Sequence, residues 1–163
     1  MTEKAYFAAG CFWGVQYYFD QVPGVVSTVV GYTGGHTDSP SYEDVCTHTT
    51  GHAEAVEVEF DPAVVSYKEL AMHFFRLHDP TQLNRQGPDV GDSYRSAIFY
   101  VNDQQKQTAE ELISTMTDAK QFDQPIVTQV AAATTFYPAE DYHQKFAERT
   151  GRGMCHIAYA PVQ

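Results

Sequence analysis

The stretch AEAVEVEFDP, residues 53–62, constrains the fold most. It alternates cleanly, with Glu54, Val56, Val58 and Phe60 on one face and Ala55, Glu57 and Glu59 on the other. That period of two reads as a strand with one face in a core. Another strand precedes it, the β-branched run Val25–Val30. Only a Gly-, Ser-, Thr-, Pro- and Asp-rich segment, Gly31–Gly51, lies between them. With no helix there to cover a crossover, a doubly wound parallel sheet is disfavoured.

The flanking segments extend the pattern. Lys4–Ala9 reads as a short buried strand, and Trp13–Val22 as a helix stopped by Pro23-Gly24. Ser66 begins a helix with Glu69 placed to complete a capping box, and Tyr67, Leu70, Phe74 and Leu77 follow at helical spacing. Ser96–Val101 is a strand. Asp103–Lys120 is a helix with Ala109, Leu112, Ile113 and Met116 as its apolar stripe. Ile126–Ala131 is a strand, Pro138–Arg149 a helix with proline in its first position, and the tail GRGMCHIAYAPVQ is irregular. The order β-α-β-β-α-β-α-β-α predicts an α+β protein, a two-layer α/β sandwich with a mixed sheet. No repeat, low-complexity tract or linker divides residues 1–163, which are expected to form a single domain.

Composition narrows the function classes. A formal net charge of −11 argues against nucleic acid or an anionic membrane as partner. No apolar run approaches the ~18 residues of a membrane-spanning helix. The start, MTEKAYFAAG, lacks the apolar core of a signal peptide, so the expected compartment is the cytoplasm. The three cysteines, Cys11, Cys46 and Cys155, are too few and too odd in number for a disulfide scaffold.

Cys11 sits at a strand-to-helix turn between Gly10 and Gly14. A thiol at a helix N-terminus is favoured as thiolate, hence as a nucleophile; the alternative is an inert buried thiol. Glu54 falls on the core face of its strand, where desolvation would keep a carboxyl protonated and able to act as an acid. If it lies at the strand end and reaches water, that property is lost. Tyr42, Tyr94 and Asp89 lie in the two long loops, Gly31–Gly51 and His78–Arg95, where spacing alone gives them only loop and turn roles. Cys155 in the Gly-rich tail is a candidate resolving thiol if Cys11 reacts. Cys46, His48 and His52 match no strong metal template, and Cys46 reads as structural. Two other classes stay open: a Cys-His hydrolase pairing Cys11 with His52 or His143, and a metal or interaction module on Cys46, His48 and His52.

The motifs GCFWG (10–14), GYTGG (31–35), TGHAEAVEVEFDP (50–62), HDPTQLNRQGPDVGDSYRSAIFY (78–100) and AEDYHQKF (139–146) together resemble the A-type peptide methionine sulfoxide reductases, over nearly the whole chain. That resemblance implies a ferredoxin-like core with long coiled segments. It implies reduction of methionine-S-sulfoxide, free or in oxidised proteins, as a repair activity under oxidative stress. Cys11 then matches the nucleophile, and Phe12 and Trp13 the aromatic wall that receives the substrate methyl. Glu54 matches the acid, Tyr42 and Tyr94 the hydroxyls around the sulfoxide oxygen, and Asp89 the polar group beside them. Cys155 resembles the recycling cysteine that resolves the sulfenic acid as a disulfide. The resemblance implies no bound cofactor and no metal, with thioredoxin or another dithiol as external reductant. The expected unit is a monomer.

Overall fold

A computed structural model describes residues 1–151. Its centre is the alternating strand, β3 (Ala53–Phe60), with β1 (Glu3–Ala9) antiparallel on one side and β2 (Val25–Thr33) antiparallel on the other. Val56, Val58 and Phe60 point into the main core, as the alternation predicts. β6 (Ser96–Tyr100) joins the far side of β1. The order β6-β1-β3-β2, with helix α1 (Phe12–Asp20) between β1 and β2 and helix α3 (Tyr67–Leu77) between β3 and β6, is the ferredoxin-like arrangement. Two strands extend it: β7 (Gln129–Ala132) runs parallel to β6, and β8 (Tyr137–Pro138) is antiparallel to β2, which makes the six-stranded sheet mixed.

The helices cover one face. Phe12, Val15, Tyr18 and Phe19 of α1, Leu70, Phe74 and Phe75 of α3, and Ala109 and Met116 of α4 (Asp103–Asp118) share a core with Ala5, Phe7, Val30 and Ile98 of the sheet. Phe7 joins two of these helices, its ring stacked 5.2 Å from Phe19 and 5.3 Å from Phe74. The opposite face is lined by small residues, Ala8, Ala53, Ala55 and Ala97, with Phe99. Their size lets Ala133 and Phe136 lie directly against the sheet, beside Ala131 of β7.

Local sequence explains three helix starts. Ser66 Oγ accepts from Glu69 N while Glu69 Oε1 accepts from Ser66 N, the expected capping box. Asn102 Oδ1 accepts from Gln105 N at the start of α4. A second box, Ser41 with Asp44, starts a short helix α2 (Tyr42–Cys46) inside the segment read from sequence as loop. The second long loop also holds structure, the two-residue strands β4 (Arg85–Gln86) and β5 (Asp89–Val90) followed by a 3-10 turn, Asp92–Tyr94.

Two expectations are corrected. The strand placed at Ile126–Ala131 runs instead from Gln129 to Ala132, because Val127 N donates to Pro80 O before the sheet is reached. The helix expected over Pro138–Arg149 is an edge strand, a 3-10 turn Asp141–His143 and one short helix, α5 (Phe146–Thr150). Pro138 sits on the sheet edge, where its missing N–H costs no ladder bond. Gln144 then imitates the next strand residue: Val30 N donates to its Oε1 at 3.0 Å and its Nε2 donates to Val30 O at 2.9 Å. Lys145 follows in the left-handed region, φ 59, which breaks any continuous helix.

Candidate active site

Gly10 ends β1 with φ 93, a conformation that disfavours any side chain, and turns the chain into α1. Cys11 is the residue before that helix and is 7% exposed. Its side chain makes no capping bond, and the first turn of α1 holds no acidic residue. The positive end of the helix therefore faces the sulfur without a carboxylate from its own first turn.

A carboxyl arrives from elsewhere in the chain. Glu54 on β3 is 1% exposed, so it lies in the interior rather than at a wet strand end. Its Oε1 accepts from Phe12 N at 3.3 Å, the first N–H of the helix that Cys11 opens. Register places Tyr32 of β2 directly opposite Glu54.

The two loop tyrosines converge on the same point. Tyr42 opens α2, and its hydroxyl hydrogen-bonds with the Cys46 thiol one turn later. Its phenol is pushed well above the usual range, first by burial and then by the charge of Glu54. Tyr94 ends the 3-10 turn and is raised in the same way, by burial and then by Glu54, Cys46, Asp89 and Cys11. Both phenols thus keep their protons, which leaves them hydrogen-bond donors across the neutral range. Asp89 is half-buried on β5 and enters through its field on Tyr94. Cys46 is exposed, and its thiol is nonetheless pushed up, first by desolvation, with the Tyr42 bond opposing and Glu54 and Glu140 adding to it. That keeps Cys46 a thiol.

Phe12 and Trp13 form the aromatic side. Phe12 is buried with its ring 5.7 Å from that of Tyr32. Trp13 is half-buried; it stacks on Phe146 at 4.1 Å, and its Nε1 donates to His143 Nδ1 at 2.9 Å. Cys155 lies outside the described residues.

Several residues that shape this site escaped the sequence reading. Tyr32 donates its hydroxyl to Glu140 Oε1 at 2.9 Å, and Glu140 Oε2 accepts from Tyr42 N at 2.9 Å, so one carboxylate ties β2 to α2. Burial would raise the Glu140 carboxyl, but the bonds from Tyr42 N and Tyr32 outweigh it and hold the group below the ordinary range. Lys145 reaches back to α1: its N donates to Gln16 Oε1, and its Nζ pairs with Asp20 at 2.7 Å. The signal was the polar triplet His143-Gln144-Lys145, three consecutive polar residues inside a segment assigned to a helix from its leading proline.

The histidines of the hydrolase alternative are committed elsewhere. His52 is buried; Nδ1 accepts from Gly35 N at 3.0 Å, so Nε2 carries the proton and donates to Thr37 O at 2.7 Å. It fastens the two arms of the first loop. His143 holds Trp13. His48 shares a hydrogen bond with Ser93 at 3.3 Å and lies 3.6 Å from Asp92, joining the two long loops. Among the described residues no group of three or more His, Cys, Asp or Glu side chains could hold a metal ion. No helix among them is long and apolar enough to cross a membrane.

Known proteins are similar to this chain. The family model for peptide methionine sulfoxide reductase matches residues 3–163. A peptide methionine sulfoxide reductase MsrA of Methanothermobacter thermautotrophicus is 56% identical over 155 residues, covering 95% of this chain and 92% of the relative. The MsrA of Methanosarcina acetivorans is 58% identical over 149 residues, covering 91% and 79%. Among solved structures, reduced Mxr1 of Saccharomyces cerevisiae superposes with a TM-score of 0.87 at 33% identity, covering 98% of this chain and 89% of that one. Mxr1 has also been solved in complex with Trx2. With the family model spanning nearly all of it and relatives above half identity, the chain belongs to the A-type peptide methionine sulfoxide reductases, oxidoreductase enzymes that act on methionine sulfoxide.

Proposed function

We propose that Cys11 attacks the sulfur of a methionine-S-sulfoxide whose methyl group rests on Phe12 and Trp13. The observation that carries this reading is Glu54, a buried carboxyl bonded to the first N–H of the helix that begins at Cys11. A carboxyl so deeply desolvated is disfavoured as an anion, which suits it to give a proton to the sulfoxide oxygen. Tyr42 and Tyr94, with raised phenols, donate hydrogen bonds to the same oxygen, and Asp89 lies beside Tyr94. The substrate sulfur gains two electrons and leaves as the thioether of methionine. The Cys11 sulfur loses two and keeps the oxygen as sulfenic acid. Cys155 then displaces that oxygen as water and forms a disulfide with Cys11, and an external dithiol reduces the disulfide while being oxidised itself.

The complex of Mxr1 with Trx2 supports a thioredoxin as that dithiol. The reading needs no bound cofactor. It treats residues 1–163 as one catalytic domain, a monomer working on oxidised proteins in the cytoplasm. The continuous core under α1, α3 and α4 supports the single domain.

The test is to add methionine-S-sulfoxide to the reduced protein without reductant, then measure intact mass and free thiols. The expected result is one methionine formed, two hydrogens lost and a peptide map joining Cys11 to Cys155. A stable single oxygen on Cys11 would keep the reaction and remove Cys155 as resolver. Unchanged mass with no methionine formed would overturn the reading.

A further inference from the structure

The helix that carries Tyr42 is fastened at both ends. At its start, Tyr42 N donates to Glu140 Oε2 at 2.9 Å. At its end, His48 N donates to Val45 O at 3.0 Å. His48 follows the C-cap residue Thr47 and has φ 59, in the left-handed region. Helices usually place glycine there, because that region is unfavourable for a residue with a Cβ. The chain instead carries an imidazole at this point, and the ring reaches across to the second loop. A Cβ on Gly91 would fall inside the ring, and Gly91 itself has φ 137, so ring and glycine interlock. His48 Nδ1 shares a hydrogen bond with Ser93 Oγ at 3.3 Å and lies 3.6 Å from Asp92 Oδ1. The His48 and Asp92 side chains are 37% and 35% exposed, so their charge pairing is weak. The fit against Gly91 and the bond to Ser93 do the holding. The next residue is Tyr94, whose ring stands T-shaped to the imidazole with centroids 6.2 Å apart. Tyr94 N closes the turn by donating to Gly91 O at 3.0 Å. One imidazole from the first loop thus meets all four residues of the turn that presents Tyr94.

We propose that His48 is a positioning residue that clasps α2 to the 91–94 turn and so holds the Tyr94 hydroxyl where it can share one sulfoxide oxygen with Tyr42. This rests on the reductase reading above, in which both hydroxyls donate to that oxygen. Charge gathers on the oxygen as its bond to sulfur breaks, so a misplaced donor weakens the transition state more than the bound substrate. The clasp therefore acts on kcat. The methyl seat, Phe12 and Trp13, belongs to α1 and is not part of it, so KM is left nearly alone.

The experiment uses the full chain with methionine-S-sulfoxide and dithiothreitol, and compares wild type with His48→Gly, His48→Asn, Tyr94→Phe and the double variant His48→Gly/Tyr94→Phe. His48→Gly removes the ring and relieves the backbone. It is expected to lower kcat by up to about 100-fold, the scale of a group misplaced by an ångström. KM and the melting temperature should stay close to wild type. Asparagine also tolerates the left-handed region, and its amide falls near the place of Nδ1, so His48→Asn is expected to recover part of the lost kcat. With Tyr94→Phe there is no hydroxyl left to position, so adding His48→Gly should lower kcat little further. Losses that multiply in the double variant would show that His48 does not act through Tyr94, and would overturn the inference. So would an unchanged kcat in His48→Gly, or a melting temperature well below wild type with no recovery in His48→Asn. Hydrogen exchange gives a readout that does not depend on the reaction. In His48→Gly it should quicken at Gly91, Tyr94 and Arg95, whose N–H groups are bonded within the second loop, and not in β3. Unchanged exchange at those residues would also overturn the inference. If the wild type reduces no sulfoxide, the reductase reading has failed, and the exchange comparison alone still decides whether His48 clasps the turn.

Discussion

The starts of α1 and α3 are built by opposite rules. At α3, Ser66 and Glu69 satisfy each other's backbone N–H groups within a single turn. The acidic Glu69 also complements the helix dipole. At α1, Cys11 offers no capping bond, and the N–H of Phe12 goes to Glu54, 42 positions away on β3. The first arrangement serves stability and is complete in itself. The second leaves a helix N-terminus to a thiol and a buried carboxyl, so the field of the helix end falls on the groups proposed to react. α2, α3 and α4 start with side-chain caps, whereas α1 and the short α5 do not, and of the two uncapped starts the one at Cys11 opens the candidate site.

Making α1 resemble α3 is the sharpest way to break that contrast. Cys11→Ser supplies a hydroxyl at the cap position, where serine is worth roughly 0.5–2 kcal/mol over a residue that cannot cap. Turnover should vanish while thermal stability holds or rises. A large loss of stability would show that the sulfur has a packing role. Glu54→Gln keeps an amide oxygen for Phe12 N but offers no acidic proton. Activity should fall about 10²- to 10⁴-fold, the usual share of general acid catalysis, with little change in the melting temperature. Near-normal activity would remove Glu54 as the proton donor.

Below these in effect comes the first loop. A Cβ on Gly35 would stand 2.4 Å from His52 N and from Thr50 O, both backbone atoms that cannot swing aside. Gly35→Ala should cost about 3 kcal/mol, near the upper end for overpacking. It should also lower activity, because the same loop carries Tyr42. Urea denaturation measures the first effect, and a midpoint unchanged from wild type would show that the two arms are not packed as described.

At the other helix start the expected loss is smaller and purely structural. Ser66→Ala removes one cap and should cost about 1 kcal/mol. For a chain of this length that lowers the melting temperature by roughly 2–4 °C. Activity at 25 °C should be unchanged. A Ser66→Ala enzyme with impaired turnover would mean that the two helix starts are coupled through the core, and that the contrast between them is less clean than the geometry suggests.

The same contrast explains what could be read from the sequence. Ser66-x-x-Glu69 and the alternation from Glu54 to Phe60 are local, so their periods and spacings are visible in the chain. The Ser41-x-x-Asp44 box is local too, but α2 is too short to carry an apolar period, and the segment passed for loop. Residues 138–149 failed for another reason. Ala139, Tyr142 and Phe146 suggest a helical stripe, yet the conformation is set by Gln144 on the edge of β2, Lys145 on Asp20 and His143 on Trp13. These bonds are tertiary and override propensity. The site divides likewise. Cys11 and Glu54 could be found from a turn and an alternation. Glu140 and Tyr32 could not, because their roles exist only once β2 and α2 meet.

The last expected effect is in pH. Burial holds both His73 and His143 below the ordinary imidazole range; Arg76 adds to this for His73 against Glu69, and Glu140 opposes it for His143. In the unfolded chain both return to about 6.5. As pH falls through that value, the unfolded state takes up protons that the folded state refuses, so stability declines. The decline stops below the folded pKa values, and above neutral pH neither residue contributes. The slope cannot exceed about 1.4 kcal/mol per pH unit for each histidine. Glu140 adds a separate loss at lower pH, since its depressed carboxyl stabilises the fold only while ionised. Melting temperatures between pH 5 and 8 should therefore fall on the acid side of about 6.5, and His73→Gln should flatten part of that fall while leaving the share of His143. A profile flat to pH 5 would mean that these two imidazoles accept protons in the folded protein. Protonated Nδ1 of His143 could not then accept the indole N–H, and Trp13 would lose its anchor over the same range.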